Sequence, residues 1–211
     1  MNQTQGQVFE SELWNSIRRF GIEGVTEAQL VQLVKHYELL SKWNKRFNLT
    51  RITKPGDAAT LSYAESLYGT KFIAQAKTML DIGTGAGFPA IPIAVAFPEL
   101  AVSALEANQK KSLFLTETIF DLPLVNLKVI TSRAENVDLS EYDLLTCRAL
   151  DHAEAILPSI LNRLNKDQRL MLYCVQAMVD KLVGQCSGSF KVETNPIPES
   201  ETRIIAIFSR K

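Results

Sequence analysis

The chain has 211 residues, and its 23 Lys and Arg balance 23 Asp and Glu to give a formal net charge of zero. Hydrophobic residues make up 46% and charged residues 22%, which predicts a soluble globular chain with one well-cored domain and an appendage. No apolar run approaches the roughly 20 residues of a membrane span, the opening Met1 to Gln7 lacks the basic and apolar regions of a signal peptide, and a neutral charge balance does not advertise nucleic-acid binding. Cys147, Cys174 and Cys186 have no metal-ligand spacing, and the first two lie in strand-like apolar runs that suit buried reduced thiols. No metal is expected, and the expected compartment is the cytoplasm.

Up to about residue 77 the chain reads helical. Thr26 and Gln29 form a capping box, after which Leu30, Leu33, Val34, Tyr37, Leu40 and Trp43 recur at helical spacing. His36 falls among polar positions and is expected at the surface. Lys42, Lys45, Arg46, Arg51 and Lys54 form a basic run without an acid between Leu39 and Gly56, interleaved with Trp43, Asn44, Phe47 and Asn48. A solvated helix end and a phosphate-binding strip give the same pattern on charge alone. Pro55-Gly56 breaks the helix, and another is predicted over 57–68.

From Thr78 strand and helix alternate, with strands predicted at 78–82, 101–106, 127–131, 143–147 and 170–175. Helices are predicted at 87–97, 109–121, 152–164 and 176–185. This order argues for a parallel sheet with helices on both faces. His152, beside Asp151 at a helix start, is expected at the surface. Phe190–Thr194 and Arg203–Phe208, separated by Pro196 and Pro198, read as an antiparallel hairpin at one sheet edge. The expected organisation is a helical cap over 1–77 and an α/β domain over 78–211.

The most telling stretch runs from Met79 to Ile91. A short apolar strand ends in Asp81-Ile82 and drops into a loop with glycine at alternate positions, Gly83, Gly85 and Gly87. Glycines permit a sharp strand-to-helix turn and close approach of a ligand to the backbone. Glu106, ending the next strand, is placed to accept hydrogen bonds from ribose hydroxyls. Dinucleotide enzymes favour G-x-G-x-x-G, so a nucleotide or NAD site is the second reading here. The G-x-G-x-G spacing with Asp81 ahead of it resembles the D-x-G-x-G-x-G loop of class I S-adenosylmethionine methyltransferases, which implies a Rossmann-like doubly wound sheet.

Several segments together resemble one family. Trp43-Asn44-Lys45-Arg46-Phe47-Asn48-Leu49-Thr50 is similar to the W-N-x-x-x-N-L-T signature of the bacterial small-subunit rRNA guanine-N7 methyltransferases, the RsmG (GidB) family. Asp81 to Pro89 resembles its D-x-G-[ST]-G-x-G-[LF]-P loop, Lys110-Lys111 with Phe114-Leu115 its helix start, Arg133-Ala134-Glu135 its R-A-E turn, and Arg148-Ala149 the end of its S-R-A segment. The resemblance implies that Asp81, Gly83, Gly85, Gly87, Phe88, Glu106, Ala134, Glu135 and Arg148 bind S-adenosylmethionine. It also places Arg148 beside the transferred methyl group as the catalytic candidate. Lys45, Arg46, Asn48 and Arg51 are the candidate substrate-binding residues, the implied partner is 16S rRNA or the small subunit, and a monomer is expected.

The chain departs from the family pattern at several positions. The H-x-x-D-S segment reads Ser62-Tyr63-Ala64-Glu65-Ser66, without the histidine and with glutamate for aspartate. The glycine after the loop proline is Ala90, and the A-x-K-G after the fifth strand reads Tyr173-Cys174-Val175-Gln176, without the lysine. Two other functions therefore stay open: a methyltransferase of another substrate, and a non-catalytic cofactor-binding protein for assembly or regulation.

Overall fold

The computed structural model describes residues 3–73, 75–150, 152–186 and 190–211. Two capping boxes start the N-terminal helices. The Thr4 hydroxyl accepts from the Gln7 amide and opens α1 (Gln5–Arg19), and Thr26 with Gln29 opens α2 (Glu27–Phe47) in the same way. Such caps satisfy backbone donors that a helix start leaves unpaired, each worth about 1 kcal/mol. Asn48, left-handed at φ 48°, ends α2.

The helix predicted over 57–68 is real but compound. It begins at α3 (Pro55–Asp57), widens into a π-helical segment (Ala58–Ala64), tightens into α4 (Glu65–Tyr68) and ends as a 3-10 turn (Gly69–Phe72). Hydrophobic spacing does not encode the widening. It coincides with a side chain from the sheet, Arg148, that takes the Leu61 and Ser62 carbonyls as acceptors.

The alternating half folds as the pattern predicts, with shifted boundaries. Its elements are β1 (Thr78–Ile82), α5 (Ala90–Ala96), β2 (Ala101–Leu105), α6 (Gln109–Asp121), β3 (Leu127–Ile130), β4 (Leu144–Arg148), α7 (Ala153–Arg163), β5 (Arg169–Val175) and α8 (Gln176–Gln185). Then come β6 (Phe190–Pro196) and β7 (Arg203–Arg210). α5 starts three residues later than the predicted 87, because Gly87 and Phe88 both donate to the Thr84 carbonyl at 2.9 Å and spend those residues in a turn. The sheet order is β3-β2-β1-β4-β5-β7-β6. β1 to β5 pair in parallel, and β7 enters antiparallel between β5 and β6, so the predicted hairpin forms the sheet edge.

The side-chain period of two sorts β1 between the faces. Leu80 and Ile82 join a core with Leu145, Leu157, Leu161, Leu172 and Leu182 under α7 and α8. Met79 joins the opposite core, where Leu33, Leu67, Ile91 and Phe114 pack the cap helices against the sheet. Phe9 stacks on Tyr37 with centroids 4.1 Å apart and meets Tyr63 edge-on at 4.7 Å.

His36 corrects the surface reading. It is fully buried in this aromatic cluster, with Nδ1 2.8 Å from the Tyr63 hydroxyl and its ring near Phe88 and Phe114. Its ring is covered by Tyr63, Phe88 and Phe114 from three other segments, which a single-helix polarity pattern does not reveal. His152 is exposed, as expected, at the start of α7.

Candidate active site

In open α/β sheets ligands bind beyond the carboxyl ends of the strands, where the strand order reverses. Here the reversal falls at β1, flanked by β2 and β4. A cavity of about 460 Å³ opens at that point, within the usual range for small-molecule sites.

Its floor is the glycine loop. The Gly83 and Thr84 amides both donate to the Leu105 carbonyl, at 2.9 and 3.1 Å, which turns the chain out of β1. Gly85 sits at φ +60°, and a Cβ there would meet nothing nearer than the Gly83 carbonyl at 3.9 Å. The space above Gly85 is therefore open to a ligand, and the backbone conformation itself favours glycine. The Gly85 amide donates to Glu106 Oε2 at 2.9 Å, and the Asn108 amide donates to Oε1 at 2.8 Å. Two backbone donors thus fix the Glu106 carboxylate at the cavity wall and leave its other lone pairs free.

Asp81 and Gly87 do not line the cavity. Asp81 is fully buried behind the loop, where Oδ2 accepts from the Ala90 amide at 3.1 Å and Oδ1 from the Thr146 hydroxyl at 2.9 Å. It ties β1, β4 and the start of α5 together. Burial pushes its carboxyl up to about 6, against the hydrogen bonds from Thr146 and Ala90 that lower it. Gly87 faces Ile91, whose Cδ1 lies 2.2 Å from where a Cβ would stand.

Phe88, Ala134 and Glu135 line the cavity, the last two from the short turn after β3, where the Ala134 carbonyl accepts from Arg163. Arg148 closes the far end as the last residue of β4. Its guanidinium is almost fully engaged. Nη1 donates to the Ser62 carbonyl at 3.1 Å and the Ser66 hydroxyl at 3.2 Å, and Nη2 donates to the Leu61 carbonyl and to Glu65 Oε2 at 3.0 Å. Glu65, only 1% exposed, accepts a second guanidinium through Oε1, from Arg203 Nε at 2.7 Å. Burial pushes the Glu65 carboxyl up and the Arg148 guanidinium down, and their mutual attraction opposes both shifts.

Lys45, Arg46, Asn48 and Arg51 are all exposed, and none lines the cavity. The loop after α2, which holds Asn48 and Arg51, does line it. The Asn44 side chain donates to the Thr50 carbonyl at 3.0 Å and accepts from the Thr50 amide at 2.8 Å, which sets Leu49, Thr50 and Ile52 into the cavity wall. Trp43 packs edge-on to Phe114 at 5.7 Å and donates to Glu117. Thr50, Lys111 and Leu150 are lining residues that sequence reasoning passed over. Thr50 carried a signal as the last residue of the signature segment, whereas Leu150 carried none.

The strand order, the glycine loop at the switch point and the acid directly after β2 define a class I methyltransferase fold. An MtNAS mutant solved in complex with S-adenosylmethionine shares this fold at a TM-score of 0.60 and 13% identity, covering 100% of each chain. A family model described as rRNA small subunit methyltransferase G (GidB) matches residues 29–187, and the chain belongs to that family. The ribosomal RNA small subunit methyltransferase G of Pseudomonas syringae pv. tomato is 43% identical over 125 residues, 59% of this chain. That match spans 58% of the relative's own length, less than two thirds of it. The protein of the same description from Limosilactobacillus fermentum is 30% identical over 206 residues, 88% of this chain and 84% of its own.

Proposed function

We propose that the protein transfers the methyl group of S-adenosylmethionine to N7 of a guanine in 16S rRNA, working as a cytoplasmic monomer on small-subunit particles. The observation that carries this reading is a single cavity in which the glycine loop, Glu106 and Arg148 converge, with Leu49, Thr50 and Ile52, the neighbours of Arg51, in its wall.

The residues fit the cofactor. Open space above Gly85 admits a ligand that a side chain would exclude, and the free lone pairs of Glu106 suit ribose hydroxyls. Ala134 and Glu135 would flank the adenine, and Gly83 with its loop would lie along the amino-acid portion. When bound, S-adenosylmethionine supplies an electrophilic methyl on a positively charged sulfur.

Guanine N7 carries a free lone pair. No proton has to leave before it attacks, so the protein's task is to align the base and exclude water. Alignment of this kind supplies about 7–11 kcal/mol in favourable cases. Arg148 holds the wall where base and cofactor would meet, and its contacts to the π-helical segment fix that wall in place. In A-form RNA N7 lies in a deep, narrow groove, so an unpaired or extruded guanine is the expected target. Lys45, Arg46 and Arg51 would hold phosphates beside it, with Asn48 turning the chain between them.

Small-subunit particles from cells lacking the gene, incubated with protein and S-adenosylmethionine, should gain one 7-methylguanosine in 16S rRNA by mass-spectrometric mapping. Cofactor binding without transfer to any RNA would instead establish the non-catalytic reading. Transfer to a small molecule or protein, with rRNA unchanged, would establish a different substrate.

A further inference from the structure

We propose that a second cavity, of about 350 Å³, seats the acceptor guanine, with Glu65 and Arg203 reading the edge of its six-membered ring. This rests on the guanine reading above and names the subsite it requires. The two cavities meet at Arg148, Ala149 and Leu150, so a base in the second abuts the end of the first. The second lies over the carboxyl ends of β4 and β5, one strand beyond the switch point.

Its walls suit a flat aromatic ring. Leu150, Leu157, Leu172 and Met178 supply apolar surface, and the polar groups gather at one end around Glu65. Guanine presents an acceptor at O6 beside donors at N1 and N2. An ionised carboxylate offers about four acceptor positions, and Arg148 and Arg203 occupy one on each oxygen of Glu65. The two arginine side chains differ in freedom: that of Arg148 is 15% exposed and that of Arg203 is 40% exposed. Arg203 is therefore the partner that swings aside. The guanine N1 and N2 donors then take its place on Glu65, and the displaced guanidinium can donate to O6. Every buried polar group keeps a partner through the exchange. Adenine fails this test, because its N1 is an acceptor and would set a lone pair against the carboxylate. N7 lies across the ring from N1 and N2, so the same pose turns it away from Glu65. A base reaches such a pocket only when extruded from its stack.

The test uses Cys174, a half-buried thiol lining this cavity. With cofactor-saturated protein, GMP should slow alkylation of Cys174, read by peptide mass spectrometry, while CMP should not. AMP should need about tenfold higher concentration for equal protection, the discrimination expected of one hydrogen bond to a charged group. Glu65→Gln should erase the GMP preference over AMP, an effect that loss of scaffolding alone does not produce. Met178→Trp, which fills the cavity away from the cofactor, should keep the cofactor-induced rise in Tm and lose both GMP protection and rRNA methylation. Equal protection by all nucleotides, or methylation by Met178→Trp at the parent rate, would overturn the proposal. If the parent methylates no rRNA yet GMP alone protects Cys174, the rRNA reading fails and the guanine subsite is supported.

Discussion

Arg148→Ala should unfold the protein's active edge as well as silence it. The guanidinium makes four hydrogen bonds, three of them to Leu61, Ser62 and Ser66 and the fourth to Glu65. Removing it takes a donor from the Leu61 and Ser62 carbonyls and leaves a carboxylate of 1% exposure with Arg203 as its one ion-pair partner among the described residues. Breaking a buried pair by deleting one member costs about 3–5 kcal/mol, because the remaining charge stays buried. Urea unfolding at pH 7 should show that loss as a lower midpoint at unchanged slope. Arg148→Lys restores a point charge without the planar fork, so it should recover part of the stability and little methyl transfer. Combining Arg148→Met with Glu65→Gln should cost less than the two single changes summed, by about 0.5–3 kcal/mol of coupling. If Arg148→Ala lowers stability by less than about 1 kcal/mol, the value of an exposed pair, the clamp does not exist.

Saturating S-adenosylmethionine at 100 times its Kd should add about 2.7 kcal/mol to stability, and Gly85→Val should abolish the accompanying rise in Tm because its side chain enters the open space above the loop. An unchanged melt with this cofactor and a raised one with NAD or ATP would reverse the choice of ligand. Replacing Lys45, Arg46 and Arg51 together by Ala should flatten the salt dependence of RNA binding by about 0.7 log unit per lost phosphate contact on single strands, and an unaltered slope would return them to a solvated helix end. Burial pushes the His36 imidazole down to about 3, so the stability it contributes is complete above its ordinary value near 6.5 and is lost as pH falls through the folded value, by up to about 5 kcal/mol. Asp81, raised to about 6, acts in the opposite sense, its contribution being present at low pH and lost as pH rises through 6. The difference in stability between parent and His36→Phe should therefore shrink or reverse from pH 7 toward pH 4, and a flat difference would refute the burial argument.

Strand positions were legible because β1, β2, β4 and β5 are short apolar runs bounded by turns and helices, and tertiary packing did not override that pattern. The glycine loop and Glu106 were legible because close ligand approach restricts residue type locally. What sequence hid was long-range. Glu65 stood out as a departure from the family pattern, but its partners Arg148 and Arg203 are 83 and 138 residues away along the chain. The burial of His36 likewise depends on Tyr63, Phe88 and Phe114, which close over that face of α2 from distant parts of the chain. Asp81 read as a ligand residue because it abuts the loop, yet alternation along β1 turns its side chain toward α5 and Thr146. From sequence alone Arg148→Ala is expected to spare the fold, and it is the π-helical segment, invisible to periodicity, that changes that expectation.

Thr50 belongs to two surfaces at once. It lies in the cavity wall, it is gripped at both its amide and its carbonyl by Asn44, and it is followed directly by the exposed Arg51. A ligand pressing on the wall and an anion pulling on Arg51 thus load the same short loop, hinged on one amide side chain. Thermodynamic linkage makes that traffic reciprocal: whatever factor an occupied cavity adds to phosphate affinity, a held phosphate returns to the cavity. Asn44→Ala, by releasing Thr50 at both ends, should slacken the wall and the residue beside it together.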